Sequence, residues 1–384
     1  MELTKCKLGE LITQRREKND GSDLPICGVS KDGLIPPKQK DADTSIYNVF
    51  YRDDFIFNPA RMELNSIAIN DMYDRAICSS LYEVFYVHRT DLLLPHYLEL
   101  IIRQKWFTRY CEFLGQGSAR EYCRFGNISE IEIEFPPIEE QQKIVEYNTA
   151  IENRIALKQK INDNLVAVGT ASIQKNVGRG ALINLTEAEM DSLIFPEDFK
   201  IKTVSEFCAE TKSGSTPSRT NNEYWENGTI SWVKSGEVHN NITLQTEEYI
   251  TSLGLSESST KLLPKDTVLM AMYGVTAGEV GYLAIEATTN QAICGMICRS
   301  KAEAAYLYFS LIQSQAAISR LSNGGAQDNL SKNFIDNIKI VVPPSEFIEK
   351  LNLAAIVEQM TLNTKEITLL EELQATVVAQ LSSR

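Results

Sequence analysis

Two thirty-residue stretches decide the fold: Leu114–Lys143 (LGQGSAREYCRFGNISEIEIEFPPIEEQQK) and Leu321–Lys350 (LSNGGAQDNLSKNFIDNIKIVVPPSEFIEK). Aligned without a gap at an offset of 207 residues, they are identical at 10 of 30 positions. Unrelated sequences would match at about two positions, so the similarity marks an internal repeat. The chain therefore consists of two related halves, a single long-period duplication rather than a solenoid array.

Each copy of the repeat predicts the same order of elements. A polar glycine-containing loop comes first, at 115–120 and at 323–327. An alternating apolar strand follows, at Ile131–Phe135 and Ile338–Val342. Two prolines then end the strand, because proline cannot donate a hydrogen bond to a central ladder. The segment after the prolines is predicted to be a helix with glutamates near its positive end.

Both segments that follow the prolines are predicted to be long helices. The first runs from about Ile138 to Asn176, which is roughly 57 Å at 1.5 Å per residue. Its apolar stripe is Ile144, Ile151, Ile155, Ile161, Leu165 and Val168. The second has a coiled-coil seam at Ile356, Met360, Asn363, Ile367, Leu370, Gln374, Val377 and Leu381, with Asn363 and Gln374 as polar positions that set register. We expect the helices to pack on each other, antiparallel, and to hold the halves apart; alternatively, each stripe packs on its own globular half.

The fold class predicted is α+β, with two mixed α/β domains separated by two long antiparallel coiled-coil helices in a pseudo-twofold repeat. The boundaries predicted from the motifs are residues 1–137 for the first domain and 138–178 for the central helix. The second domain is predicted at 181–344, after the Gly178-Arg179-Gly180 break, and the C-terminal helix at 345–384.

The composition limits the function. The 384 residues include 51 acidic and 38 basic side chains, for a net charge of −13, which excludes a wholly basic nucleic-acid binder but not a local DNA-binding face. The eight cysteines are dispersed and form no Cys-x-x-Cys pair, as expected for free thiols in a reducing cytoplasm. No signal peptide and no membrane-spanning apolar run is present, so we expect a cytoplasmic protein without a membrane partner.

The chain lacks the motifs that most enzymes of DNA need. Its three histidines, His88, His96 and His239, are scattered, so no metal site is expected. It has no P-loop, no dinucleotide-binding glycine motif and no Asn/Asp-Pro-Pro-Tyr tetrapeptide. We therefore assign no catalytic residue and expect a binding protein rather than an enzyme.

Three segments could contact DNA. Leu100–Gly126 carries a local charge of +3 with interleaved aromatic residues, a pattern suited to phosphate contact and stacking. The alternative is an amphipathic helix at 95–113 whose aromatic residues face the core. The polar segments 212–222 and 323–333 could donate to phosphates and base edges, or could be solvated connections. We expect Trp225 and Trp232 to lie in the core.

The order of motifs resembles a type I restriction–modification specificity subunit along essentially the whole chain. The second half has Ser213–Ser218 (SGSTPS), Tyr224-Trp225-x-x-Gly228-x-Ile230-x-Trp232, Lys234–Glu237 (KSGE), Leu262–Lys265 (LLPK) and Ala287–Ala292 (ATTNQA). The first half has Asn58–Arg61 (NPAR), Ser66-Ile67 and Ser80–Phe85 (SLYEVF). One departure is Glu346–Glu349 (EFIE), where the first half has Glu-Glu-Gln-Gln.

The resemblance implies two target-recognition domains, each reading half of a split site on double-stranded DNA, with the helices as a ruler for the unread gap. It also implies docking of two methyltransferase subunits that bind S-adenosylmethionine, and of restriction subunits that use ATP and Mg²⁺. This chain itself would hold no cofactor. The rival hypotheses are a coiled-coil adaptor without DNA specificity and a self-sufficient DNA-modifying enzyme.

The candidate DNA-binding residues are distributed over both halves. They are Arg61, Ser118, Arg120, Arg124, Lys212, Ser213, Ser215, Thr216, Ser218, Arg219, Lys234, Tyr273, Thr276, Asn290, Gln291, Gln327 and Lys332.

Overall fold

The structure, a computed structural model, describes residues 3–31, 33–37, 43–115, 122–183, 193–322 and 329–382. The chain forms two compact units. The first comprises Met1–Arg154 together with Leu370–Arg384, and the second comprises Ile155–Leu369. The two boundaries fall within two long helices, Ile138–Asn176 and Leu353–Ser382, so each of these helices contributes one part to each unit.

In its described residues, the first unit contains three antiparallel or mixed sheets and three short helices. The strands are β1 (Thr4–Lys7), β2 (Ile12–Arg15), β3 (Ile26–Ser30), β4 (Gly33–Ile35), β5 (Asn48–Tyr51), β6 (Phe55–Phe57), β7 (Ile67–Ile69), β8 (Arg75–Cys78), β9 (Glu83–Val87) and β10 (Glu132–Phe135). Two four-stranded sheets, with strand orders β2-β9-β6-β7 and β4-β3-β8-β5, accompany a two-stranded sheet, β1-β10. The helices are α1 (Pro95–Ile102), α2 (Lys105–Gly115) and α3 (Phe125–Ser129), with 3-10 turns at Leu8–Glu10, Thr44–Ile46 and Pro59–Leu64. Phe55 and Phe85 stack at 4.9 Å in the core.

The second unit has a central five-stranded sheet. The strands of the unit are β11 (Ala181–Leu182), β12 (Lys200–Thr203), β13 (Glu210–Ser213), β14 (Ile230–Val233), β15 (Ile242–Thr243), β16 (Glu248–Ile250), β17 (Thr267–Ala271), β18 (Val280–Leu283), β19 (Thr288–Thr289), β20 (Ile293–Ile297) and β21 (Lys339–Val342). The central sheet has the order β13-β20-β17-β18-β15, and the other strands described in this unit form two three-stranded sheets, β11-β21-β12 and β16-β14-β19. The helices are α5 (Val204–Phe207), α6 (Ser252–Ser256), α7 (Lys301–Ser322), α8 (Lys332–Asp336) and α9 (Ser345–Lys350), with 3-10 turns at Asn222–Tyr224, Ser235–Glu237 and Gly274–Thr276. Helix α7 lies in the apolar core, where its residues 304–309 are fully buried.

The repeated segments adopt the same local structure in both units. Strand β10 pairs antiparallel with β1, and β21 pairs antiparallel with β12. The main-chain N–H of Leu8 donates to Ile131 O at 2.8 Å, and that of Val204 donates to Ile338 O at 2.9 Å. Ile131 and Ile338 are identical positions of the sequence repeat, so the duplication is structural as well as sequential.

The two long helices pair antiparallel, as the seam predicts. They are α4 (Ile138–Asn176) and α10 (Leu353–Ser382). In the second unit Lys158 contacts Glu366 at 2.7 Å and Asn162 contacts Asn363 at 2.8 Å. In the first unit Gln374 donates to Asn148 at 3.1 Å. Residues 148, 158 and 162 of α4 thus face residues 374, 366 and 363 of α10, so the two helices run in opposite directions. Asn363 and Gln374 both lie in the seam.

Two helix predictions were wrong in detail. Residues 345–384 do not form one helix, because α9 ends at Lys350 and Asn352 takes a left-handed conformation with φ of 53° before α10 begins. Val168 is exposed and does not belong to the stripe of α4. Gly169 takes that place instead, because a Cβ there would lie 2.3 Å from Cε1 of Phe309. Glycine thus lets α4 pack closely on α7.

The segment 95–113 is not one amphipathic helix with its aromatic residues in the core. It is divided between α1 and α2, with Arg103 and Gln104 at the break. Phe107 is fully buried, but Trp106, Tyr110 and Phe113 are partly or largely exposed. The core-facing alternative therefore holds for Phe107 alone among these four aromatic residues.

Candidate nucleic-acid interface

Two indole side chains hold the polar loop of the second unit in place. Trp232 on β14 is buried, and its Nε1 donates to the carbonyl oxygen of Ser215 at 3.1 Å. Trp225 donates in the same way to the carbonyl oxygen of Ser218 at 3.1 Å. The two rings meet edge to face at 88°, with centroids 5.0 Å apart. The sequence prediction of core residues is therefore confirmed for Trp232, whereas Trp225 is half-buried beneath the loop.

Arg219 lies across both indoles. Its guanidinium carbon is 3.6 Å from the ring centroid of Trp225 and 4.8 Å from that of Trp232. Cation–π contacts of this kind favour a cation over the ring face and restrict its side chain. Nη1 of Arg219 donates to a carboxylate oxygen of Glu248 on β16. This candidate residue is therefore fixed in orientation, although its side chain is 49% exposed.

The cations of this region are paired with acidic residues. Lys234 contacts Glu247 at 2.5 Å and Glu248 at 3.3 Å. The hydrogen bond from Arg219 lowers the pKa of Glu248, and the hydrogen bond to Glu247 raises the pKa of Lys234, so Glu248 and Lys234 are both charged at neutral pH. We call the following set the arginine–tryptophan cluster: Arg219, Trp225, Trp232, Lys234, Glu247 and Glu248.

A second group of candidates lies beside the polar loop. Thr216 donates to Oε1 of Gln291 at 2.5 Å. Thr276, which is buried, donates to the carbonyl oxygen of Ser235 at 3.2 Å, and the Asn290 amide lies 3.5 Å from the Ser235 hydroxyl. Gly214 permits this approach of loops, because a Cβ there would meet the carbonyl oxygen of Thr289 at 2.2 Å. The structure therefore brings together residues that the sequence separates by as much as 75 positions.

The remaining candidates of the second unit are not all in one place. Tyr273 is exposed and precedes the 3-10 turn that holds Thr276. Lys212 pairs with Glu210 at 2.9 Å, whereas Lys332 pairs with Asp336 at 2.5 Å and donates to Thr211 at 2.7 Å. Thr211 and Lys212 are consecutive on β13, so Lys332 and Lys212 lie on opposite faces of that strand. Ser213 ends the strand, and the hydroxyl of Ser218 contacts that of Thr220 at 2.9 Å.

The first unit places its two described candidates on one cavity. Arg61 and Arg124 both line a cavity of about 1200 Å³, together with Glu83, Tyr82 and Tyr122. Nη1 of Arg124 lies 3.3 Å from Glu83, and its guanidinium carbon lies 5.4 Å from the ring centroid of Tyr122. This repeats, in a looser form, the pattern of an exposed arginine held by a carboxylate and an aromatic ring.

Glu83 also fixes the backbone at the edge of this cavity. Its other carboxylate oxygen accepts from the main-chain N–H of Phe125 at 2.8 Å and from Gln14 Nε2 at 3.2 Å. The side chain is largely buried, with 14% exposed. Ser118, Arg120 and Gln327 lie outside the described residues, so their assignment stays a prediction.

Sequence reasoning missed several residues that shape these surfaces. Glu83, Glu247 and Glu248 orient the candidate cations but carry the charge sign opposite to that sought for DNA contact. Val275 is fully exposed at the turn after β17, an unusual position for a β-branched apolar side chain. For Glu247 and Glu248, the signal in the sequence is a pair of consecutive acidic residues where β16 begins.

Other kinds of site are not seen in the described part of the chain. No group of three or more His, Cys, Asp or Glu side chains there could hold a metal ion. No described helix is both long and apolar enough to cross a membrane. All eight cysteines are free thiols, six of them buried.

Comparison with known proteins gives the class of the chain. The family model described as type I restriction modification DNA specificity domain matches twice, over residues 6–167 and 196–375. The chain therefore belongs to this family of DNA specificity proteins and carries two copies of its domain.

Individual relatives agree with the family assignment. The chain is 26% identical over 200 residues to the specificity subunit of the type I restriction enzyme EcoR124I/EcoR124II of Escherichia coli. That match covers 51% of this chain and 46% of the relative, so it spans about half the length of that protein. The HindI specificity subunit of Haemophilus influenzae is 21% identical over 357 residues, covering 76% of this chain and 77% of the relative.

A solved structure shares the fold. The crystal structure of the S subunit of a type I restriction–modification system from M. genitalium superposes with a TM-score of 0.57. The alignment covers 99% of this chain and 96% of that chain at 15% sequence identity. It supports the α+β class with long helices that the sequence predicts.

Proposed function

We propose that this chain is the sequence-recognition subunit of a type I restriction–modification complex and that each unit reads one half of a bipartite DNA site. The observation that carries the proposal is the duplication: two copies of a DNA specificity domain, each ending in the same strand–Pro-Pro–helix motif. Each copy also presents an arginine held between a carboxylate and an aromatic ring. We propose residues 1–137 and 181–344 as the two target-recognition domains.

Chemistry is proposed to lie on other subunits. Two methyltransferase subunits would supply S-adenosylmethionine, and restriction subunits would supply ATP and Mg²⁺, while this chain is non-catalytic. The acidic balance of −13 fits such an assembly, because basic partner surfaces can share the phosphate contacts. The complex would act on double-stranded DNA in the cytoplasm.

The methyltransferase subunits are proposed to dock on the long helices. On α10, Leu362, Leu369 and Leu373 are exposed by 50–62% and recur at spacings of seven and four residues. Residues so spaced share one face of a helix. An exposed apolar stripe beside the paired seam supports a protein partner there.

A methylation map tests the proposal. The chain is co-expressed with its cognate methyltransferase subunit in a methylation-free host, and modified adenines are read by long-read sequencing. We expect one bipartite motif that disappears when this chain is omitted. A soluble complex that leaves DNA unmodified, and that enriches no sequence from random duplex, would instead support the adaptor hypothesis. Modification or cleavage by the purified chain alone, with S-adenosylmethionine or Mg²⁺, would support the enzyme hypothesis.

A further inference from the structure

The arginine–tryptophan cluster restrains one guanidinium on three sides. The rings of Trp225 and Trp232 lie within 3.6 and 4.8 Å of the guanidinium carbon of Arg219, and Glu248 accepts from Nη1. Guanidinium is a planar group with five N–H donors in a fixed fork. Within the described residues, Nη1 is the one nitrogen of Arg219 with a hydrogen-bond partner. The N–H groups of Nε and Nη2 therefore remain available to a ligand, on a side chain that is about half exposed.

The charge balance of the cluster separates two possible ligands. Arg219 and Lys234 are matched by Glu247 and Glu248, so the four charges cancel. A phosphate would meet two carboxylates at the same place and would gain little from the arginine. A neutral base edge meets no such repulsion and needs only directional donors. The geometry therefore favours base readout over a phosphate contact.

We propose that Arg219 reads a guanine in the half-site bound by the second unit, and that Glu248, Trp225 and Trp232 are its positioning residues. This inference rests on the proposed function. An arginine fork matches the O6 and N7 acceptors of guanine in the major groove, whereas adenine offers a donor at the place of O6. Holding the fork in advance reduces the side-chain entropy that is lost when the hydrogen bonds form.

The test uses the purified complex of this chain with its methyltransferase subunits, on duplexes carrying each of the four bases at each position of the second unit's half-site. Substituting Arg219→Lys keeps the charge but removes the fork. We expect loss of guanine preference at one position, by roughly 10- to 100-fold, with the other positions unchanged. Replacing that guanine by 7-deazaguanine should weaken binding of the wild-type complex and leave the Arg219→Ala complex unaffected.

Glu248→Gln gives a signature that a purely structural role would not produce. The cluster then carries a net charge of +1, so binding to random duplex should rise and become more salt-dependent. Discrimination in favour of guanine should fall at the same time, because the carboxylate that fixes the orientation of the Arg219 guanidinium is gone. Arg89→Lys is the matched control: Arg89 forms an exposed pair with Asp91 in the first unit, and its replacement should leave the motif unchanged.

Three outcomes would overturn the inference. An unchanged motif in a folded Arg219→Lys complex would show that Arg219 does not read a base. Uniform weakening over all sequences with a reduced salt slope would make it a phosphate contact. Both of these leave the proposed function intact, because the wild-type motif still depends on this chain. A wild-type complex without any motif would remove the proposed function and the inference together.

Discussion

Asn363 on α10 donates from Nδ2 to Oδ1 of Asn162 on α4 at 2.8 Å, across the seam between the two long helices. Asn363 is 1% exposed, and its own Oδ1 accepts from Lys158 Nζ at 3.1 Å. A buried amide that pairs across two helices favours one register, since a shifted register would leave the polar groups without partners. The sequence predicted this position from seam spacing alone.

Replacing Asn363 by alanine should lower the free energy of unfolding. The change removes the donor to Oδ1 of Asn162 in the seam, which costs about 1–3 kcal/mol, whereas Lys158 keeps its ion pair with Glu366. Urea or thermal denaturation of the full chain measures the loss. Leu362→Ala, one residue away on the exposed face of α10, is the control and should stay within about 0.5 kcal/mol of wild type. Equal effects in the two variants would argue against the pairing.

Gly169→Ala should destabilise the second unit although alanine is the better helix former. A Cβ at Gly169 would lie 2.3 to 2.6 Å from three atoms of the Phe309 ring. Overpacking of this kind costs about 1–3 kcal/mol, which exceeds the gain of about 1 kcal/mol in helix propensity. A Cβ on Gly126 in α3 would have no atom of the described residues within 4 Å, so Gly126→Ala should be neutral or stabilising. Thermal melting of both variants gives the comparison.

The free energy of unfolding of the second unit should decrease in acid, because protonation of Glu248 removes its ion pair with Arg219. The hydrogen bond from Arg219 lowers the pKa of Glu248 below its ordinary value of 4.5. A lowered folded-state pKa adds stability above the ordinary value, and this is lost as the pH falls through the folded-state pKa. Wild type should therefore be more stable than Glu248→Gln at pH 7, with the difference shrinking below pH 4.5. A difference that is constant from neutral pH to well below the folded-state pKa would contradict the ion pair.

The sequence could predict what depends on repetition and periodicity. The duplication, the terminal strands and the pairing of α4 with α10 all follow from patterns that recur within the chain. It could not predict the partner of Arg219, because Glu248 is 29 residues away and reaches it only through the pairing of β14 with β16. The break at Asn352 could not be predicted either. The helix was predicted from the spacing of apolar residues, and a left-handed asparagine does not interrupt that spacing. The sequence left open whether Trp106 and Tyr110 face the core, because exposure depends on what packs over a helix.

Alanine at both Leu362 and Leu369 should weaken assembly with the methyltransferase subunits. Both side chains are more than half exposed on α10, so their removal should leave the free energy of unfolding nearly unchanged. Loss of two apolar anchors from an interface should reduce affinity by about 10-fold or more. Size-exclusion chromatography and titration of the partner measure the change. Leu253→Ala on α6 is the matched control, and weakening by that variant to the same extent would exclude a specific role for α10.

Lengthening both helices together should widen the unread gap of the DNA site. Residues added around Val168–Asn176 would disrupt the second unit, because Gly169 and Ile173 lie in its core. The insertions are therefore placed where each helix passes from one unit to the other. One heptad added between Arg154 and Ile155 and another between Leu369 and Leu370 keeps the seam in register. Seven residues add about 10 Å of helix, close to three base pairs. Methylation mapping should show both half-sites unchanged and the gap about three base pairs longer. An unchanged gap in an active complex would refute the helices as a ruler, and altered half-sites would refute modular recognition by the two units.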